Sequence, residues 1–264
     1  MVGKLLKFEF QRTRSMLAML WLATAGLLLL SYALCFVNSA LAGVVFVPAG
    51  LLWLLLPVVV QLYLAFEAYR SSFGRRGYFM HVLPVRGGTL VLTKLGYMVL
   101  ISAISLALSV VLLPLTTHVG HELKIVPEIG LGDVWKLVSE SGGPAYFFLA
   151  FVVLSIVVFT PLQYLFCVCV GAESWISRTG GLGPFLTYLL LYVAQQVVMT
   201  LALLLPVSLD MITGEIVFGS SIGMAWGGYF GPYFPLGIVI AVVAICVALL
   251  WRTLLSVTRK LELR

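Results

Sequence analysis

Six long, mostly apolar runs dominate this chain: Met16–Phe36, Val44–Phe66, Leu90–Pro114, Ala145–Val170, Phe185–Pro206 and Phe234–Trp251. Roughly 20 such residues, wound as a helix, cover the ~30 Å of hydrocarbon in a bilayer. Of 264 residues, 62% are hydrophobic and only 10% charged, against roughly 45–50% and about 25% in soluble domains. One soluble core could not hide that excess, so lipid has to solvate much of the surface. The sequence therefore predicts an all-α, polytopic membrane protein, a single transmembrane domain over residues 1–264.

Charge sets the expected direction of the spans. With both termini cytoplasmic, the inside face holds Lys4, Lys7, Arg12, Arg14, Arg70, Arg75, Arg76, Arg86, Lys94, Arg178, Arg252, Arg259, Lys260 and Arg264. The outside face keeps Lys124 and Lys136, a division of 14 against 2 that the opposite orientation would invert. Most acids fall outside: Glu122, Glu128, Asp133, Glu140, Asp210 and Glu215. The net charge of +6 is spread in short clusters beside apolar runs, which is membrane topology and not a nucleic-acid patch. A basic start, an apolar run and Ala40-Leu41-Ala42 also fit a cleavable leader. The Met16–Phe36 run, however, is longer than the ~7–15 residues of a leader's apolar region, so it reads as a span.

Between the spans the segments differ in character. Gly3–Arg14 mixes Leu5, Leu6, Phe8 and Phe10 with Lys4, Lys7, Glu9, Arg12 and Arg14, the pattern of an amphipathic interfacial helix. Residues 67–86 are cytoplasmic in this orientation, yet they carry Tyr69, Phe73, Tyr78, Phe79, Met80, Val82 and Leu83, too many apolar groups to leave in water. A short amphipathic helix between Gly74 or Gly77 and Pro84 is expected, covered by another protein, by the membrane surface or by the chain's own helix ends. Outside, 115–144 reads as a polar loop with a short helix near Asp133–Ser139. The stretch Val207–Tyr233 holds six glycines with Trp226, Tyr229 and Phe230. It is too apolar for a free loop and too broken to cross, so a partly re-entrant or interfacial hairpin on the outer side is expected.

Catalytic chemistry is thinly represented. No Gly-x-x-x-x-Gly-Lys-[Ser/Thr] run is present, so ATP-driven work needs another subunit. Gly219-Ser-Ser-Ile-Gly223 matches a nucleophile elbow literally but lacks its strand-to-helix setting. His118, His121 and Glu122 are too few for zinc and read as a solvated loop. The four cysteines, Cys35, Cys167, Cys169 and Cys246, lie inside apolar runs and read as structural. Gln61, Gln163, Gln195 and Gln196 are costly in hydrocarbon, so they either join helices or line a wet path, and Pro57 and Pro161 lie close to two of them. No charge sits near a span centre, which argues against a proton relay; Lys94 and Glu67, at span ends, are read as snorkelling.

Gly77-Tyr-Phe-Met-His-Val-Leu-Pro-Val85, followed by an apolar span with Lys94 near its start, resembles the cytoplasmic loop of bacterial type-2 ATP-binding-cassette permeases. The opening Lys4-Leu-Leu-Lys-Phe-Glu-Phe-Gln-Arg12 resembles that family's amphipathic start, and six spans with both ends inside match its architecture. Arg75-Arg76 stands where an acidic residue is usual in the family.

The resemblance implies a permease in the bacterial plasma membrane, paired with a second copy or a homologous permease. It also implies separate cytosolic ATPase subunits, which would carry the ATP and Mg; this chain itself would bind no cofactor. Phe73, Tyr78, Phe79, Met80, His81 and Leu83 would face the ATPase in a coupling helix ended by Pro84. The resemblance further implies export of an amphipathic or hydrophobic substrate such as a peptide, drug or lipid. A non-transporting scaffold or sensor subunit, and an intramembrane enzyme, are the competing readings.

Overall fold

The computed structural model describes residues 2–72, 87–125, 130–140, 142–173, 182–219 and 233–259. Its helices are α1 (Val2–Cys35), α2 (Ser39–Ser72), α3 (Gly87–Glu122), the short α4 (Leu131–Glu140), α5 (Gly142–Leu154), α6 (Thr160–Gly171), α7 (Gly183–Leu203) and α8 (Leu236–Arg259). A π turn over Ser155–Phe159 joins α5 to α6. Taking α5 to α6 as one span, six helices are long and apolar enough to cross a membrane, and the chain is a multi-pass membrane protein. Hydrocarbon offers no hydrogen bonds, so a spanning backbone has to satisfy its own, as a helix does. Only 11–28% of each span's most apolar window is buried inside the chain; the rest is surface that only lipid or a partner can cover.

The chain divides into two compact units, Met1–Glu67 with Leu92–Leu137, and Ala68–Val91 with Val138–Arg264. In the first, α1 buries Glu9, Thr13, Leu17, Thr24, Leu28 and Ser31, at steps of three, four and seven along one stripe. Small and hydroxylated residues let the backbones approach. Ala42 and Ala49 of α2 are fully buried, and the Ser31 hydroxyl donates to the Ala42 carbonyl at 3.2 Å. Two indoles tie the bundle: Trp21 Nε1 donates to Ser105 Oγ at 3.2 Å, and Trp53 Nε1 to the Ser109 carbonyl at 2.8 Å.

Two expectations are corrected in this unit. The segment Gly3–Arg14 is not a separate interfacial helix, because it runs unbroken into the first span as part of the 34-residue α1. Its polar residues Glu9 and Thr13 face inward, while Phe8 and Phe10 stay exposed. Nor does the third span end at Pro114. The helix continues to Glu122, with Thr116 Oγ1 and Thr117 Oγ1 donating to the Leu112 and Leu113 carbonyls at 2.9 and 3.1 Å. The helix passes Pro114, which lacks the N–H that would bond the Val110 carbonyl, and the hydroxyls add bonds within the turn that follows. His118 and His121 thus lie on the last turns of a helix, not in a loop, and the His118 ring sits 5.7 Å from that of Tyr32.

In the second unit, α6, α7 and α8 pack together. The π turn precedes Pro161, which has no N–H to return to the preceding turn. Hydroxyls serve the widened segment: Ser155 Oγ donates to the Phe151 carbonyl at 2.8 Å and Thr160 Oγ1 to the Ser155 carbonyl at 3.0 Å.

Of Val207–Tyr233, the stretch expected to form a partly re-entrant or interfacial hairpin, the described part is a small antiparallel sheet. Strands β1 (Ser208–Asp210), β2 (Ile216–Val217) and β3 (Tyr233–Pro235) lie in the order β2-β1-β3. Residues 220–232 lie outside the described residues.

The turn between β1 and β2 is built by Asp210, whose Oδ1 accepts from the Ile212 N–H at 2.8 Å and from that of Thr213 at 3.4 Å, and by Gly214 at φ +75°. These bonds, that from Ile212 foremost, favour the ionised carboxylate and hold the Asp210 pKa below its ordinary value. The contribution to the turn is therefore complete above the ordinary carboxylate pKa and disappears as the pH falls through the lowered one. The protection of amides 211–215, taken relative to their intrinsic exchange at each pH, is expected to fall only in that acid window, and Asp210→Asn, which keeps the acceptor, is expected to remove this fall.

Candidate functional site

Phe73, Tyr78, Phe79, Met80, His81, Leu83 and Pro84 all lie within 73–86, outside the described residues, as does the Arg75-Arg76 pair. What the structure does describe is how the two stems of that segment are held. The chain leaves the first unit at Glu67, near the end of α2, and returns to it at Leu92, near the start of α3.

Both stems are tied to α1 by charge. Arg12 Nε lies 2.9 Å from Glu67 Oε1 on the outgoing stem, and Lys94 Nζ lies 3.5 Å from Glu9 Oε1 on the returning stem. Arg12 and Glu9 are themselves paired, one helical turn apart, so four side chains form one continuous line from α2 through α1 to α3. Beside it the hydroxyls of Thr13 and Tyr97 are hydrogen-bonded, and the Arg12 guanidinium lies over the Phe8 ring. Two acids balance two bases, which is the condition for keeping charges out of water.

Lys94 is therefore not a snorkelling residue. Its side chain is 6% exposed and its ammonium turns inward to a carboxylate that is 5% exposed. Glu67, 16% exposed, likewise turns to Arg12. The physical reason is spacing: Glu9, Arg12 and Thr13 fall on one side of α1, and the ion-paired members of α2 and α3 lie within reach of it.

The second unit carries a comparable anchor. Glu173, just past the end of α6 and 1% exposed, holds Arg252 of α8 with its carboxylate oxygens 2.7 and 2.9 Å from Nη2. One helical turn further along α8, the Ser256 hydroxyl donates to the Cys169 carbonyl at 3.4 Å.

The glutamines separate by environment. Gln61 is buried in α2 at 1% exposure, and Gln163 is half-buried in α6. On α7, Gln195 is half-buried, its Nε2 without a partner among the described residues, while Gln196 lies on the exposed face. Their places give no common lining. An open apolar groove of about 370 Å³ lies elsewhere in the second unit, bordered by Pro144, Phe147, Leu209, Ile216 and Leu236.

Among the described residues, no three metal-ligating side chains gather. The charged groups that do gather neutralise each other, so the arrangement suits mechanical linkage between helices better than acid–base chemistry. The sequence signal for it was available: Glu9 and Glu67 are acids in segments where Lys and Arg outnumber Asp and Glu. Comparison with known protein families, with curated proteins and with solved structures finds no match for this chain.

Proposed function

We propose that this chain is the permease subunit of an ATP-driven transporter of the type-2 ATP-binding-cassette class, multi-pass in a bacterial plasma membrane with both termini cytoplasmic. It moves an amphipathic or hydrophobic substrate outward, together with a second permease and separate ATPase subunits that bind ATP and Mg. The sequence supports the division of labour: six spans, no phosphate-binding loop, and a 73–86 segment whose apolar side chains call for a cover.

The observation that carries the reading is the line of ion pairs at the stems of that segment. Phe79 is 12 residues from Glu67 and Leu83 is 11 residues from Lys94, and the part of each path nearest the ion pair is helical, so a force applied by an ATPase to the segment arrives through the ends of α2 and α3. From there, buried charges that cannot separate cheaply pass it to α1. A loop joined to its helices by flexible polar linkers would dissipate the same displacement.

Phe79→Asp with Leu83→Asp is expected to abolish co-purification of a soluble ATPase and the stimulation of its ATP hydrolysis by the permease, while leaving the thermal unfolding of the chain in detergent unchanged. If the complex and the stimulated activity survive both charges, the docking assignment is wrong.

A further inference from the structure

Helix α4 presents a face that the described chain leaves largely open. Its sequence, Leu131-Gly-Asp-Val-Trp-Lys-Leu-Val-Ser-Glu140, puts Leu131, Val134, Trp135 and Val138 on one side, at steps of three, four and seven. Gly132, Asp133, Lys136, Ser139 and Glu140 take the opposite side and are exposed. Val138 is buried, but Leu131 is 43%, Val134 38% and Trp135 63% exposed. Ten residues with so clean a division between apolar and charged sides are out of place in bulk water.

Chain connectivity says what lies against that face. Only Ser141 separates Glu140 from Gly142, where the next membrane span begins. Gly142 has φ +71°, a left-handed residue of the kind that ends one helix and redirects the chain into another. The C-terminal end of α4 is thereby pinned where a span enters the bilayer. At its other end, residues 123–130 connect it to the close of the α3 span at Glu122, a tether of at most about 30 Å. Asp133 Oδ2 accepts from the Gly130 N–H at 2.9 Å, fixing the first turn of the helix at the end of that tether.

We propose that α4 is a membrane-surface helix: Leu131, Val134 and Trp135 sit among the upper acyl chains, with Asp133, Lys136 and Glu140 in the hydrated headgroups. Tryptophan suits the site, since its large amphipathic ring is enriched at the headgroup level of a bilayer. The charge of the helix specifies the lipid. Surface helices that hold to anionic lipid present several Lys or Arg on the polar face. Here two acids face one lysine, so α4 is held by apolar insertion and fits a zwitterionic phospholipid surface. The proposal stands apart from the transport reading, because it requires neither an ATPase nor a substrate.

The test uses the purified full-length chain in phosphatidylcholine vesicles. The tryptophan emission of the parent minus that of Trp135→Phe isolates Trp135. This signal is expected to be blue-shifted and quenched by brominated acyl chains, placing the ring ~5–10 Å inside the headgroup–acyl boundary. Its depth should not change when part of the lipid is made anionic. Should the signal be quenched by aqueous iodide and spared by brominated lipid, the proposal is overturned, and the face belongs to a protein partner missing from the vesicle.

A second measurement covers the case in which Trp135→Phe folds poorly. Spin labels at Val134→Cys and Lys136→Cys are compared with Cys35, Cys167, Cys169 and Cys246 replaced by alanine. Oxygen should reach position 134 better than an aqueous nickel chelate does, and the reverse should hold at 136. Equal water access at both positions overturns the proposal.

Discussion

Glu9→Ala is expected to destabilise the protein by about 3–5 kcal/mol, the usual effect of removing one partner from a buried ion pair. The loss has two parts. Lys94, almost wholly inside, no longer has the carboxylate that made its burial tolerable, and Arg12 retains Glu67 but loses its neighbour on α1. The paired replacement Glu9→Met with Lys94→Met should recover most of that stability, since apolar side chains of similar length fill the space without stranding a charge. Unfolding in mixed micelles reads both effects. If the single substitution is as mild as the exposed pairs measured in soluble proteins, below about 1 kcal/mol, the four-residue line does not hold α1 to α3.

The same pair of variants separates stability from linkage. A Met–Met protein is expected to be folded and yet to respond poorly to force at residues 73–86, because apolar contacts slide where ion pairs keep register. In the transport reading its ATPase partner would bind normally but drive little substrate. Equal transport by the parent and the Met–Met form would leave the ion pairs as anchors only.

Gly237→Ala and Gly171→Ala are expected to be nearly as severe, for a purely steric reason. A Cβ at 237 would stand 2.2 Å from the Ala202 carbonyl oxygen and 3.0 Å from Leu205 Cδ1. At 171 it would meet the Pro184 nitrogen at 2.5 Å and its Cα at 2.6 Å. The closest obstacles are backbone atoms, which cannot rotate aside, so α8 must move off α7, or α6 off the start of α7. Overpacking of that kind typically costs about 1–3 kcal/mol, and more where the neighbour is rigid. Gly50→Ala in α2 is the control: its Cβ meets nothing within 4 Å, and alanine favours the helix by about 1 kcal/mol. Thermal aggregation in detergent should rise sharply for the first two substitutions and not for the third. Comparable behaviour of all three would mean that the helices are not so closely apposed.

How far the sequence reached can be judged from particular residues. The apolar runs predict the six spans, and the short helix around Asp133–Ser139 is legible too, because hydrophobic periodicity is written locally. The errors came where a local signal was overruled by a neighbour distant in the chain. The mixed pattern of Gly3–Arg14 suits the membrane interface, but Glu9 meets Lys94 and Arg12 meets Glu67, so the segment stays in line with the span. Pro114 suggested a helix end, yet the helix continues to Glu122, with Thr116 and Thr117 bonded back to the Leu112 and Leu113 carbonyls. Within Val207–Tyr233 the turn at Gly214 depends on Asp210 and on a positive φ, a detail that glycine content alone does not convey.

By itself the sequence determined that this protein lives in a membrane, how many times its helices are able to cross, and where its positive charges cluster. Length and transfer free energy settle those points one segment at a time. Only the tertiary structure decided which charged residues are buried, because a Lys near a span end is indifferent between water and a carboxylate until another helix brings one. The pairing of Glu9 with Lys94, of Arg12 with Glu67 and of Glu173 with Arg252 joins residues 55 or more positions apart in every case. No periodicity within one helix encodes such a meeting.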